Sequence, residues 1–297
     1  MEIVDAQLHV GRGGIERTLA AMDALGIGAV LIDEYWGERP IDSDPTHILP
    51  GFKLPNGAWR HTCPIAEEAC AIHPDRFAYL VRVDRNDPDI ASVMRIIASS
   101  PHARAVRVQP VWTMREARAF AEGAYDDLFG LADRNGLPVF LFMPGFAELL
   151  APYLRKFPTV TSICDHTGMP FSGIPVDLPE AERVRKKAPA YLDEVLKLAD
   201  FPNAALKWAH AQSCFGVHDY PYQPIRGHLK RAIGAFGADR VMWASDSSVI
   251  PRHSWSDMLH SVRDDPDLTH EEKAWVLGGS ARKALSWHKN DPGESNG

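Results

Sequence analysis

The chain has 297 residues, 45% of them hydrophobic, which is enough to bury a sizeable core. Length alone suggests about two domains, but barrels of this size commonly form one. The net charge is −7 with acidic and basic residues interspersed, so no basic stripe is available for a nucleic-acid backbone. No apolar run approaches the roughly 18 residues that span a bilayer. We therefore expect neither nucleic acid nor a membrane as a partner.

The four cysteines form no C-x-x-C pair. Glu2 and Asp5 interrupt the place where a signal peptide would need an apolar segment. The sequence therefore predicts a cytoplasmic protein with reduced cysteines. The sequence is also compatible with a homo-oligomer.

Short apolar runs rich in β-branched residues alternate with amphipathic segments along the chain. The runs predict eight strands, over residues 3–6, 29–33, 77–83, 105–108, 139–142, 161–165, 204–208 and 241–244. The longest amphipathic segments predict helices over residues 15–25, 89–99, 125–135, 190–198 and 225–236. Strands and helices that alternate in this way indicate βαβ units and a parallel sheet.

The segments that leave the predicted strands are longer than those that enter them. Residues 34–66, 168–189 and 210–224 are long and rich in Pro, Gly and aromatic residues. Such loops build the active-site face of a (β/α)₈ barrel. A doubly wound open sheet is the alternative, but Gly11-Arg12-Gly13-Gly14 lacks the G-x-G-x-x-G spacing. We predict a single TIM (β/α)₈ barrel over residues 1–289 and a disordered polar tail over residues 290–297.

Polar side chains occur at or just beyond the carboxyl ends of five predicted strands. They are Gln7 and His9, Arg107 and Gln109, Asp165 and His166, Lys207 and His210, and Ser245 and Asp246. Each has a structural alternative: a lone histidine is often a hydrogen-bonded core residue, Arg and Lys pair or extend to solvent, and an aspartate can cap a helix. Because the strand ends of a barrel meet in one cup, the whole set favours an active site.

Several motifs together resemble the amidohydrolase superfamily. They are D-A-Q-L-H near the start, then A-V-R-V-Q, I-C-D-H-T-G-M-P, A-A-L-K-W and R-V-M-W-A-S-D-S. The D-H-x-G and W-x-S-D pair is similar to the lactonase-type branch, which includes pyrone dicarboxylate lactonase and the sugar-acid lactonases. The resemblance runs from Asp5 to about Leu285. It implies a distorted (β/α)₈ barrel and hydrolysis by an activated water.

The resemblance also implies roles for particular residues. The metal motif of the first strand falls on Gln7 and His9, the sixth-strand histidine on His166, and the general base on Asp246. Gln7 stands where a histidine is expected. The fifth predicted strand offers only Phe142 and Met143 where binuclear members carry a bridging lysine or further ligands, so a binuclear centre is not expected.

An amide oxygen is a poorer zinc ligand than an imidazole. The remaining candidate ligands are His9, His166 and Asp246, and we expect either no required cofactor or a single weakly bound divalent metal such as zinc. By the same reasoning, Gln7→His is expected to raise metal affinity, since residues i and i+2 of a strand share one face.

A mechanism without a metal is available for an ester as electrophilic as a lactone. Asp246 would take a proton from water, and His166 and His9 would donate to the carbonyl oxygen as it gains charge. Arg107 and Lys207 would hold a carboxylate or ring oxygen of the substrate.

Further substrate contacts are predicted for Gln7, for His210, which could also protonate the leaving alkoxide, and for the loop aromatics Trp36 and Tyr222. Aromatic walls favour a planar or ring-shaped substrate.

The predicted function is hydrolysis of a small carboxylated or sugar-acid lactone, and the partner is a small anionic molecule. A metal-dependent decarboxylase or lyase of an aromatic or unsaturated acid is the first alternative, and a catalytically inactive binding barrel is the second. Serine hydrolase chemistry is poorly supported, because the sequence has no G-x-S-x-G elbow and Gly278-Gly279-Ser280 is predicted to open the last helix.

Overall fold

A computed structural model describes residues 1–10, 14–35, 49–170, 188–250 and 252–288. Its main feature is one sheet of eight parallel strands, in the order β1-β2-β5-β6-β7-β8-β9-β10. The strands are β1 (Val4–Leu8), β2 (Ala29–Asp33), β5 (Phe77–Arg82), β6 (Ala103–Val108), β7 (Val139–Leu141), β8 (Ser162–Cys164), β9 (Ala204–Trp208) and β10 (Val241–Trp243). A separate antiparallel hairpin joins β3 (Gly51–Lys53) to β4 (Trp59–His61).

The sheet curls into a nearly closed barrel. The ends of the first and last barrel strands meet where the backbone N–H of Asp246 donates to the carbonyl oxygen of Gln7 at 3.1 Å. Beside this bond, the backbone N–H of Ser245 donates to the Asp5 carboxylate at 2.9 Å. Residues that follow β1 and β10 are therefore neighbours, although they lie more than two hundred positions apart in the chain.

Helices surround the barrel. They are α1 (Ile15–Leu25), α2 (Pro64–Ile72), α3 (Ile90–Ser99), α4 (Met114–Ala121), α5 (Asp126–Asn135), α6 (Ala151–Lys156), α7 (Ala188–Leu196), α8 (Ala211–Phe215), α9 (Gln223–Phe236), α10 (Trp255–Arg263), α11 (His270–Ala274) and α12 (Ser280–Ala284). A π-helical turn, Trp275–Gly279, connects the last two. In the described part of the chain, no helix has the length and apolar character needed to cross a membrane.

All eight predicted strands and all five predicted helices are confirmed, with ends that differ by at most two residues. The hairpin β3–β4 and the first turn of α2 lie in the long segment, residues 34–66, that was expected to be a loop. The last helix begins at Ser280 with Gly279 as its N-cap, as predicted from Gly278-Gly279-Ser280, and it follows the π-helical turn directly. Trp36, residues 11–13 of the glycine-rich segment and the tail at residues 290–297 lie outside the described residues.

Side chains inside the barrel are mostly small. One buried cluster lines the interior with Ala and Leu from alternate strand positions, among them Ala78, Leu80, Ala105 and Ala205. A larger cluster packs the outward strand faces against the helices. Alternate positions of a strand share a face, so the last inward position of each strand opens onto the carboxyl end of the barrel.

Strand β1 departs from simple alternation near the site. Its register against β2 shifts between Asp5 and Leu8. Val4 and Ala6 belong to the interior cluster, yet Gln7 rather than Leu8 faces the polar side chains at the barrel mouth. A shift of this kind re-aims side chains next to a site.

Candidate active site

A carboxylate surrounded by imidazoles lies at the centre of the barrel mouth. Asp246 Oδ1 is 3.0 Å from His9 Nε2, and Asp246 Oδ2 is 2.7 Å from His210 Nε2. His166 Nε2 lies 3.8 Å from the same Oδ2. These side chains come from the ends of β1, β8, β9 and β10, so the structure brings together the four residues on which the sequence predicted the chemistry.

Three of these residues hold strained backbone conformations. His166, His210 and Asp246 have φ values of 49°, 58° and 50°, in the left-handed region that L-residues rarely adopt. Each such residue costs about 1–3 kcal/mol unless the surrounding structure imposes it, and such residues cluster at functional sites. Each turn directs its side chain towards the same point, which alternating strand geometry could not achieve.

The D-H-T-G segment after β8 shows why its glycine is required. His166, Thr167 and Gly168 are consecutive left-handed residues, with φ values of 49°, 58° and 66°. A Cβ atom on Gly168 would lie 2.7 Å from Cys164 Sγ and 2.8 Å from Val195 Cγ2. Only glycine therefore fits the point where the turn meets the barrel wall.

The Asp246 carboxylate is held in its ionised form. Burial alone would raise its pKa, but the charge of His9 and the hydrogen bonds and charge of His210 outweigh burial and hold the pKa well below its ordinary value. Asp246 does not cap a helix in the described residues, since the next helix begins at Trp255 with Ser254 as its N-cap. Asp246 is therefore ionised at neutral pH and can accept a proton. It is a weak base, however, while both imidazoles contact it.

His9 contacts a different acceptor with each ring nitrogen. Nδ1 is 2.6 Å from the Asp33 carbonyl oxygen, which can only accept, and Nε2 is 3.0 Å from the Asp246 carboxylate and 3.4 Å from Gln7 Nε2. The ring also packs at 5.1 Å from that of Tyr35. His9 thus orients Asp246, and it would have to give up one of these hydrogen bonds to ligate a metal.

His166 accepts at Nε2. An arginine can only donate, and Arg107 Nη2 lies 3.0 Å from this nitrogen, so the ring hydrogen is on Nδ1. Burial, together with the charges of Lys207 and His210, keeps the pKa of His166 well below its ordinary value. Donation to a substrate oxygen, as the sequence predicted for His166, would therefore come from Nδ1.

A buried ion network supports these groups from one side. Arg107 Nε donates to Asp165 Oδ2 at 2.6 Å, and its Nη1 donates to Asp33 Oδ2. Arg82 donates to both Asp33 oxygens, at 2.8 Å and 2.6 Å. Burial would raise the pKa of Asp33, but the charges of Arg82 and Arg107 hold it well below its ordinary value.

Asp33 and Arg82 were not among the residues predicted from the sequence. Each is the last residue of its strand, so a charged residue that ends a buried run was the available signal. Gln7 and Lys207, predicted to contact substrate, are fully buried. Lys207 Nζ is 2.5 Å from Asp165 Oδ1 and contacts Gln7 Oε1.

Tyr222, which the sequence predicted to contact substrate, packs against His253. Its side chain is almost fully buried, and its hydroxyl is 3.0 Å from His253 Nδ1. The rings of Tyr222 and His253 are 5.2 Å apart and nearly perpendicular. Burial, followed by the charge of His218, lowers the pKa of His253.

A cavity of about 800 Å³ adjoins the cluster. Its walls come from the β3–β4 hairpin and from the segments that follow β5 and β6. They include Trp59, His61, Arg82, Arg85, Arg107, Gln109, Trp112, Arg115 and Tyr125. Arg107 is the shared residue, because the same guanidinium lines the cavity and contacts His166. The wall also contains Asp84 and Glu116, and Glu116 pairs with Arg85 at 3.0 Å. The remaining arginines and the indole rings suit an anionic, planar molecule.

The cluster could also hold a metal ion. Single ligand atoms of His166, His210 and Asp246 lie within 4.8 Å of one another, and all three residues are buried. Two imidazoles and a carboxylate are donors that zinc and manganese accept in proteins. This group contains His210, whereas the ligand set predicted from the sequence contains His9 in its place. The predicted set of His9, His166 and Asp246 stays a prediction.

The motifs of the sequence resemble the amidohydrolase superfamily, and comparison with family models agrees. A model described as Amidohydrolase matches residues 10–287. The chain belongs to this family. No curated protein sequence matches the chain significantly.

Solved structures share the fold of this amidohydrolase. An amidohydrolase from Burkholderia multivorans with bound zinc is 15% identical, with a TM-score of 0.69 over 96% of this chain and 99% of that chain. A putative 2-pyrone-4,6-dicarboxylic acid hydrolase from Pseudomonas putida is 15% identical, with a TM-score of 0.67 over 96% and 97%. A 5-carboxyvanillate decarboxylase from Sphingomonas paucimobilis is 15% identical, with a TM-score of 0.59 over 96% and 99%.

Proposed function

We propose that this amidohydrolase opens a small carboxylated lactone with a water activated by Asp246. The observation that carries the proposal is the carboxylate of Asp246 between His9 and His210, at 3.0 Å and 2.7 Å, beside a cavity with arginines in its wall. A base and donors around one point are what ester hydrolysis needs. Similarity of fold to a putative pyrone dicarboxylic acid hydrolase supports the same reaction class.

In the proposed reaction, a water hydrogen-bonded to Asp246 attacks the lactone carbonyl carbon and gives its proton to the carboxylate. The carbonyl oxygen gains negative charge, and an N–H donor, either His9 Nε2 or His166 Nδ1, stabilises it. The ring C–O bond then breaks, and His210 protonates the alkoxide that leaves.

The low pKa of Asp246 fits an electrophilic substrate. The hydrogen bonds from His9 and His210 that lower this pKa also weaken the carboxylate as a base. A lactone carbonyl needs less help from a base than an amide does, and a substrate or water that displaces one imidazole would restore part of the basicity.

The arginines of the cavity would hold the substrate. Arg85 and Arg115 lie in the wall with Gln109, while Arg107 reaches the catalytic cluster. A planar guanidinium binds a carboxylate through two parallel hydrogen bonds. A ring bounded by Trp59 and Trp112 would then present its carbonyl towards His166, which contacts Arg107.

Decarboxylation of an aromatic acid is the second candidate, and the cluster of His166, His210 and Asp246 favours it. A decarboxylase of this fold from Novosphingobium aromaticivorans was crystallised with manganese. A divalent ion held by these three residues would supply Lewis-acid polarisation of a substrate oxygen. In that reaction, the arginines of the cavity would still bind the acid group.

The deciding experiment is a substrate screen with two readouts. Purified protein is offered carboxylated lactones and hydroxylated aromatic acids, with and without a chelator, while proton release and carbon dioxide release are both followed. Lactone opening that survives the chelator supports the proposal. Carbon dioxide release that the chelator abolishes would assign the protein to the second candidate.

A further inference from the structure

A lysine ammonium group with no access to solvent lies at the barrel mouth. Lys207 is 0% exposed. Its Nζ lies 2.5 Å from Asp165 Oδ1, contacts Gln7 Oε1, and stands 5.1 Å from the centre of the Phe140 ring. A carboxylate, an amide oxygen and the face of an aromatic ring are the partners that a buried cation requires.

Gln7 is oriented for this arrangement at both ends of its amide. Its oxygen accepts from Lys207, and its nitrogen is 3.4 Å from Asp33 Oδ2. Arg107 bridges Asp33 to Asp165, which closes a ring of contacts back to Lys207. Gln7 therefore places an acceptor against the cation and a donor against the anion.

We propose that the Lys207 ammonium occupies the position beside Gln7 that a metal ion would otherwise take. Gln7 and Asp165 hold the ammonium in this position. A divalent ion next to this ammonium would be repelled at short range in a buried environment. The inference is independent of the reaction, because Lys207 is held by side chains of this chain alone, namely Asp165, Gln7 and Phe140.

The proposal changes the expected effect of a histidine at position 7. The sequence alone predicts that Gln7→His raises metal affinity. With Lys207 in place, the imidazole would accept a hydrogen bond from the ammonium with the lone pair that a metal needs. A gain in metal affinity should therefore appear only when the ammonium is also removed.

The test is a double-mutant cycle read by zinc binding. Zinc dissociation constants are measured by competition with a chromogenic chelator for wild type, Gln7→His, Lys207→Met and the double variant. Met matches the length of the lysine stem without its charge. The expected coupling is a factor of at least ten, in that Gln7→His tightens zinc binding tenfold more in the Lys207→Met background than in wild type.

A control cycle uses Lys230→Met. Lys230 is a half-exposed lysine on α9 that pairs with Glu272 at 2.8 Å, and its coupling to Gln7→His should be within about twofold of one. A coupling below tenfold in the first cycle, or an equal coupling in the control cycle, would overturn the proposal.

Removal of Lys207 leaves the Asp165 carboxylate with one partner fewer in a buried position, and this could prevent folding. The same cycle is therefore also run in an Asp165→Asn background, where no carboxylate is left unpaired by Lys207→Met. Circular dichroism checks the fold of each variant. Because no substrate is used, failure of this test is distinct from failure of the hydrolase proposal.

Discussion

Arg107→Lys tests the buried ion network that supports the site. The guanidinium makes three contacts, to Asp165 at 2.6 Å, to Asp33, and to His166 at 3.0 Å. A lysine ammonium on a shorter stem retains one of them. Two charge-assisted hydrogen bonds at about 1.5 kcal/mol each give a loss of about 3 kcal/mol in the free energy of unfolding.

The assay is thermal unfolding at pH 7 with two matched variants. Arg82→Lys loses one of two bonds to Asp33, so its cost should be about half as large. Arg231→Lys changes a surface pair with Asp193 and should cost less than about 1 kcal/mol. The Arg107→Lys midpoint should fall by roughly 6 °C. A fall no larger than that of Arg231→Lys would refute the network as a stabilising element.

The pH dependence of stability tests the same ion network independently. The pKa of Asp33 is held below its ordinary value of 3.8. Its contribution to stability is therefore fully present above that value and is lost as the pH falls through the folded-state pKa. Arg107→Lys weakens the shift, so the difference in stability between the variant and wild type should narrow below about pH 4. A difference that stays constant into acid would contradict the electrostatic account.

Three further outcomes are expected. His210→Gly should unfold at a higher temperature than His210→Ala, because glycine relieves about 1 kcal/mol of left-handed strain that alanine retains; equal midpoints would argue against strain. Elemental analysis should find less than one transition-metal ion per purified chain, because His9 already contacts Asp246 and His166 already contacts Arg107. One tightly held ion per chain would contradict this prediction. The kcat/KM profile should show no loss from Asp246 until the pH is below its ordinary pKa of 3.8; an earlier acid limb that Asp246→Asn removes would contradict the lowered pKa.

Much of the barrel could be predicted because each strand is a short run with a strong local signal. The runs at residues 29–33 and 204–208 match their strands to the residue. The hairpin of Gly51–Lys53 and Trp59–His61 was missed, because three-residue strands with partly exposed side chains carry no alternation to detect.

Residues of the candidate site were predictable only where a polar side chain directly follows an apolar run that predicts a strand. Asp246, His166 and His9 were selected from the ends of apolar runs, and the structure brings them together. Asp33 was not selected although it also ends an apolar run, because sequence spacing does not reveal which strand ends meet. Gln7 was interpreted as a lost ligand for the same reason, since its partner Lys207 is 200 positions away.

The most direct test of the account is the rate of lactone hydrolysis by Asp246→Asn. Asparagine keeps the shape of the side chain and tolerates the left-handed backbone at this position, where φ is 50°, so the fold should survive. It cannot accept the proton from water, and kcat should fall by about 10² to 10⁴ on any lactone that the wild type accepts. Circular dichroism would confirm the fold of the variant. An Asn variant within about threefold of the wild-type rate, far short of the loss of a general base, would remove Asp246 from the chemistry and contradict the proposed mechanism.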